Sequence, residues 1–214
     1  GLLPRKHLCC CHMHFHLSQA INPPAPIKYP RQQQNQSPRR HSAPLHASAK
    51  NYADWFKPNT DAPVMSHTLF KEKIAPEISK EQPTLLVVID NLRYDQWKVF
   101  EPIISNYYKK DKEEAFFSIL PTATQYARNA IFSGLMPSDM EKLFPQYWKN
   151  DTDEGGKNMH EADFLETQMK RLGLTNLKYE YHKITNLKNG KKLANNFKSL
   201  KDNDLTVVVY NFVD

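Results

Sequence analysis

Apolar residues along this 214-residue chain fall into distinct spacings, and each predicts an element. Leu85-Leu86-Val87-Val88-Ile89 and Leu205-Thr206-Val207-Val208-Val209-Tyr210-Asn211-Phe212-Val213 are nearly unbroken, and each is closed by an aspartate, Asp90 and Asp214. Such runs predict strands buried on both faces, as in a parallel sheet covered by helices. Leu177–Ile184 alternates as a half-buried strand does, and Ala115–Leu120, closed by Pro121, predicts another. Helical spacing runs over 94–108, with Trp97, Phe100, Ile103 and Ile104 near one face and Pro102 interrupting, and over 125–132, ended by Ser133-Gly134. It returns over 160–172, where Phe164, Leu165, Met169 and Leu172 share a face and Gly173 suits the C′ position. Shorter helices are predicted over 67–74, capped by Ser66, from the capping-box spacing Ser138–Glu141, and over 193–200 after an Asn189-Gly190 turn. Asn51–Lys57 reads as the end of a helix and 58–63 as a linker. The order β-α-β-α-α-α-β-α-β is that of an α/β layered domain with a mostly parallel sheet.

Composition changes this picture only at the N-terminus. The chain is 40% apolar and 24% charged, enough for a core, and no apolar run approaches the roughly 20 residues of a membrane-spanning helix. Its net charge of +6 is local: residues 1–50 carry seven basic residues and no acid. The remainder holds twenty-two basic residues against all twenty-three acids, so the body is not a nucleic-acid binder by charge. Seven of the fifteen prolines and all three cysteines also fall in 1–50, with no surviving period, so residues 1–49 are expected to be a disordered basic segment. A salt-sensitive nucleic-acid tether is the weakest of the functional readings for it. Cys9-Cys10-Cys11-His12-Met13-His14-Phe15-His16 invites a zinc reading, but adjacent ligands cannot converge tetrahedrally and no second pair follows at finger spacing. No h-region or cleavage site marks a secretory signal, and with no disulfide framework the cytoplasm is the expected compartment. The domain plan is thus 1–49, a linker with short helices over 50–80, and the main domain over 81–214.

Candidate chemistry sits where the pattern ends its strands. In parallel α/β sheets sites form at the carboxyl ends of strands, so Asp90 and Asp214 can face one crevice and share a divalent cation. The alternative is that each aspartate merely turns the chain after its strand. Leu120-Pro121-Thr122-Ala123-Thr124-Gln125-Tyr126-Ala127-Arg128-Asn129 places a hydroxyl beside free amides at a helix start, a setting for a nucleophile toward phosphorus. Arg128 and Asn129 then stand as donors to phosphate oxygens. The competing reading is an ordinary threonine N-cap. His67, His160 and His182 are isolated, and Asp95 serves either the site's surroundings or the first helical turn. No Gly-rich phosphate loop, serine elbow or Cys–His pair occurs in the body.

Val87-Val88-Ile89-Asp90-Asn91-Leu92-Arg93-Tyr94-Asp95-Gln96-Trp97 together with Leu120–Gly134 resembles the PglZ domain of PorX-type response regulators, of the alkaline phosphatase superfamily, from about Asn51 to Asp214. The resemblance implies a three-layer α/β sandwich with an alkaline phosphatase-like sheet. It implies a two-zinc site that hydrolyses nucleotide or oligonucleotide phosphodiesters. On this resemblance Asp90 matches a metal-ligating aspartate and Thr124 the nucleophile that also touches metal, with Thr122 the less favoured alternative. Asn129 falls near a phosphate-binding asparagine, and Asp214 opens the next ligand motif. The histidine ligands expected after Asp214 are not in these residues, so the chain reads as C-terminally truncated, its sheet incomplete, and inactive alone. An upstream receiver domain is expected and absent. The alternative function is a regulatory module that binds signalling proteins such as a sigma factor, in the setting of type IX secretion. A homodimer of the full-length protein and the absence of membrane association complete the expected partners.

Overall fold

The computed structural model describes the backbone of residues 13–16, and residues 51–149, 156 and 158–211 in full. The segment expected to be disordered, 1–49, thus lies outside the described residues except for 13–16, as do the three cysteines and Asp214. Residues 51–63 fall in a different unit from residues 64–211. They carry a 3-10 turn, Asp54–Phe56, with Tyr52 edge-on to the Phe56 ring at 5.0 Å.

The other unit is an α/β layer built on a four-stranded sheet of order β1-β2-β4-β3. Its strands are β1 (Met13–His16), β2 (Thr84–Ile89), β3 (Tyr179–Ile184) and β4 (Leu205–Tyr210). β2 and β3 both run parallel to β4, and β1 pairs antiparallel with β2. The helices are α1 (Ser66–Leu69), α2 (Tyr94–Ile104), α3 (Thr124–Ser133), α4 (Pro137–Leu143), α5 (Glu161–Arg171) and α6 (Leu187–Asn195). This is the mostly parallel α/β architecture that the hydrophobic pattern predicts.

β4 is central, and Leu205–Val209 are buried at every position, as a strand covered on both faces must be. β2 departs from that expectation: only Thr84 and Leu86 are fully buried, and Leu85 and Val87–Ile89 are half-buried. The core beside the sheet is made by Phe70, Phe132, Phe164 and Leu165, and the Phe132 ring meets Tyr181 of β3 edge-on at 5.7 Å.

Several local expectations are corrected. Ala115–Leu120 forms no strand of this sheet. Its backbone groups are taken by a single parallel bridge to Met65, with Phe117 N donating to Val64 O at 2.9 Å and Ser66 N to Phe117 O at 3.0 Å. Ser66 accordingly does not cap α1, whose N-cap is Met65; its Oγ accepts from Ile119 N instead. Ser138 is inside α4 rather than capping it, because Pro137 at the first turn moves the N-cap back to Met136. Asn189-Gly190 lies within α6, since Asn186 Oδ1 accepts from Asn189 N at 2.9 Å and starts the helix earlier. Residues 197–202 then form a 3-10 turn. Pro102 does not break α2, which ends two residues beyond it.

α3 and α5 are clamped to each other at the C-terminal end of α3. Gln168 Nε2 donates to the carbonyls of Ile131 and Phe132 at 2.9 and 2.8 Å, and Arg171 Nη2 donates to that of Ser133. The terminal carbonyls that a helix leaves unpaired are thereby satisfied. Gly134 turns the chain at φ 62°, and a Cβ there would meet Gln168 Oε1 at 2.1 Å. Gly173, at the end of α5 with φ 74°, would meet nothing within 4 Å. Gly134→Ala therefore combines left-handed strain of about 1 kcal/mol with displacement of the clamp. It is expected to cost at least about 2 kcal/mol and to lower the melting midpoint by roughly 4 °C or more. Gly173→Ala carries only the strain term and is expected to cost about 1 kcal/mol. Thermal melts of the two variants check this; equal losses would show that the Gln168 contact contributes nothing.

Candidate active site

β2 and β4 lie side by side in parallel, so their carboxyl ends open at the same edge of the sheet. The ladder runs on past them: Asp90 N donates to Tyr210 O at 3.0 Å, and Asn211 N to Ile184 O at 2.9 Å. Asp90 and Asn211 thus follow neighbouring strands about 4.8 Å apart. Asn91 then reverses the chain at φ 57°, a conformation asparagine tolerates better than most residues.

Arg128 of α3 reaches this edge. Its Nη1 donates to Asp90 Oδ2 at 2.9 Å and to Asn211 Oδ1 at 2.7 Å, and its Nε donates to Glu161 of α5. The Arg128 side chain is 4% exposed and that of Glu161 1%. Glu161 Oε2 also accepts from the Tyr181 hydroxyl at 2.8 Å and stands 3.1 Å from Lys183 Nζ. Burial, reinforced by the Glu161 carboxylate, pushes the Tyr181 phenol well above its usual range, so it remains a donor at any ordinary pH.

Beside this network lies a cavity of about 100 Å³, lined among others by Ser66, Asp90, Thr122, Thr124 and Arg128. Thr124 is the first residue of α3, and the N-cap is Ala123, whose side chain makes no capping bond. The threonine N-cap is therefore not formed, and Thr124 borders the cavity at a helix N-terminus, where negative charge is favoured.

The structure thus gathers Asp90, Thr122, Thr124 and Arg128 around one space. Asn129 is buried in α3 and is not among the residues lining that cavity. Asp214 lies outside the described residues. Asp95 is exposed and forms a bidentate pair with Arg93 at 2.9 and 2.8 Å in the first turn of α2. His160 hydrogen-bonds Asp163 at 2.8 Å and His182 lies 3.0 Å from Glu180; neither histidine, nor His67, lines the cavity. Glu161, Asn211, Tyr181 and Lys183 were not anticipated. A buried carboxylate in the first turn of a helix has the same sequence signature as a solvated one.

The BREX system PglZ alkaline phosphatase-like domain is the family model that matches, over residues 69–214, more than half of the chain. No curated protein matches it. Domains of the alkaline phosphatase type are hydrolases that typically depend on metal. Among the described residues, no three His, Cys, Asp or Glu side chains are placed to hold an ion. The cavity offers one carboxylate, Asp90, already bonded to a guanidinium, with hydroxyls around it, and its lining holds no histidine, cysteine or second carboxylate of the kind zinc takes. The described residues alone therefore do not make a zinc site. The matched span begins in α1 and takes in every cavity-lining residue but Ser66, the Arg128 network and the parallel strands that carry them. The chain belongs to the PglZ family of alkaline phosphatase-like domains.

Proposed function

We propose that this domain hydrolyses nucleotide or oligonucleotide phosphodiesters with Thr124 as the nucleophile. The observation that supports this reading best is the meeting of Asp90, Thr124 and Arg128 around one cavity at the carboxyl end of the sheet. A phosphodiester drawn toward the first turn of α3 meets the positive end of that helix's dipole. The Thr124 oxygen then forms a bond to phosphorus while the bond to the leaving alkoxide breaks, the hydroxyl proton ends on that alkoxide, and water frees the phospho-threonine in a second displacement that returns a proton to the Thr124 oxygen. Arg128 is oriented by its carboxylate partners before substrate arrives, which spares reorganisation at the reacting centre. Zinc is the metal this reading takes, and it supplies Lewis acidity toward phosphate when bound. Ligands beyond Asp90 and Thr124 would come from outside the described residues, Asp214 among them. A response-regulator setting, a cytoplasmic location and a homodimer belong to the same proposal. Among the described residues no helix is long and apolar enough to cross a membrane.

A second reading, a regulatory module for a signalling protein such as a sigma factor, draws on α2. Val99, Phe100 and Ile103 there are 63%, 47% and 41% exposed, an apolar stripe at helical spacing.

Thr124→Ala in the full-length protein, supplied with zinc, is expected to lower hydrolysis of bis-p-nitrophenyl phosphate by at least about 10³-fold with an unchanged melting midpoint. Turnover within a few-fold of wild type would end the nucleophile assignment. Dialysis against a chelator should abolish the activity and zinc should restore it; full activity in the chelator would remove the metal from the reading. Under the second reading Thr124→Ala keeps its regulatory effect, whereas Val99→Asp/Phe100→Asp loses it.

A further inference from the structure

Glu161 is a buried charge with three partners, as many as Arg128 has. It opens α5 at 1% exposure and receives Arg128 from α3 and Tyr181 from β3, with Lys183, also of β3, at 3.1 Å. A carboxylate so placed costs several kcal/mol unless it is fully paired, so its partners are a condition of its being there. One of them, Arg128, is also the cation that lines the cavity. The formal charges of Arg128 and Lys183 against Asp90 and Glu161 sum to zero. An anion entering the cavity can gain hydrogen bonds from the guanidinium, but the cluster has no net charge to attract it.

The geometry points to Glu161 as a positioning residue that orients Arg128 and cancels its charge, so that the cavity does not retain free phosphate by electrostatics alone. This rests on the phosphodiesterase reading for the nature of the ligand and deepens it. A hydrolase whose product carries phosphate is slowed if its own cation holds that product. Aiming the guanidinium at the sheet edge while offsetting its charge keeps the donor geometry and lowers ground-state affinity. Tyr181 stays protonated and holds the second Glu161 oxygen, which fixes the plane in which the carboxylate meets Nε.

Equilibrium binding of inorganic phosphate to the full 214-residue chain in the presence of a chelator, followed by phosphorus NMR, tests this without any turnover. Wild type is expected to bind more weakly than about 1 mM. Glu161→Gln keeps the side-chain shape, raises the charge sum by one and is expected to bind about tenfold more tightly. Glu161→Gln/Lys183→Met returns the sum to zero and is expected to fall back to the wild-type value. A purely structural role would not produce that rescue. If Glu161→Gln does not fold, Asp90→Asn makes the same change of charge at a more accessible position, and the same gain is expected. Sub-millimolar phosphate binding by wild type, or no gain in the folded variant, overturns the inference. The nucleophile assignment stands or falls separately on Thr124→Ala turnover.

Discussion

A single guanidinium holds the functional edge of this domain together. Arg128 is almost fully buried, and an unpaired cation at that depth would cost several kcal/mol. It is supported by the residues that follow two parallel strands, Asp90 and Asn211, and by Glu161 at the start of a separate helix. Such a pair adds little net stability over an apolar packing of the same volume. What it supplies is register: β2, β4, α3 and α5 must all be in place before the charges are satisfied. The cavity bordered by Thr124 exists at that intersection.

Much of the scaffold was legible because burial leaves a periodic mark. The apolar run of β4 meant burial on both faces, and Leu205–Val209 have it. The spacing of Phe164, Leu165 and Met169 marked the inward face of α5, and Gly134 and Gly173 marked helix ends that the structure turns at positive φ. Where local chemistry competed with pattern, pattern misled. Ala115–Leu120 has strand-like composition, but its backbone is used by the 64–66 segment and the Ser66 hydroxyl. Asn189-Gly190 looks like a turn until Asn186 is seen to begin α6 ahead of it.

The site was legible to the extent that it depends on strand ends and helix starts. Asp90 and Thr124 occupy such positions and border one cavity, whereas the carboxylate foreseen at Asp214 lies outside the described residues. Arg128 was foreseen as a phosphate donor, but nothing in the sequence says that it would be shared among two carboxylates and an amide. Glu161 lies 33 residues beyond Arg128 and Tyr181 20 beyond Glu161, and only three-dimensional packing joins the three in one chain of hydrogen bonds. Long-range pairing of buried charge has no period and no spacing, so it leaves no trace in a linear reading.

Thr124 and Arg128 belong to one helix at a separation of four, their backbone positions about 6 Å apart along its axis and on the same side. They move as a rigid couple. A shift of α3 that carries one away from the strand ends carries the other with it, so the distance between them is insulated from drift in the surrounding loops. Variation among such domains can then remodel the cavity wall opposite this helix without disturbing the couple itself.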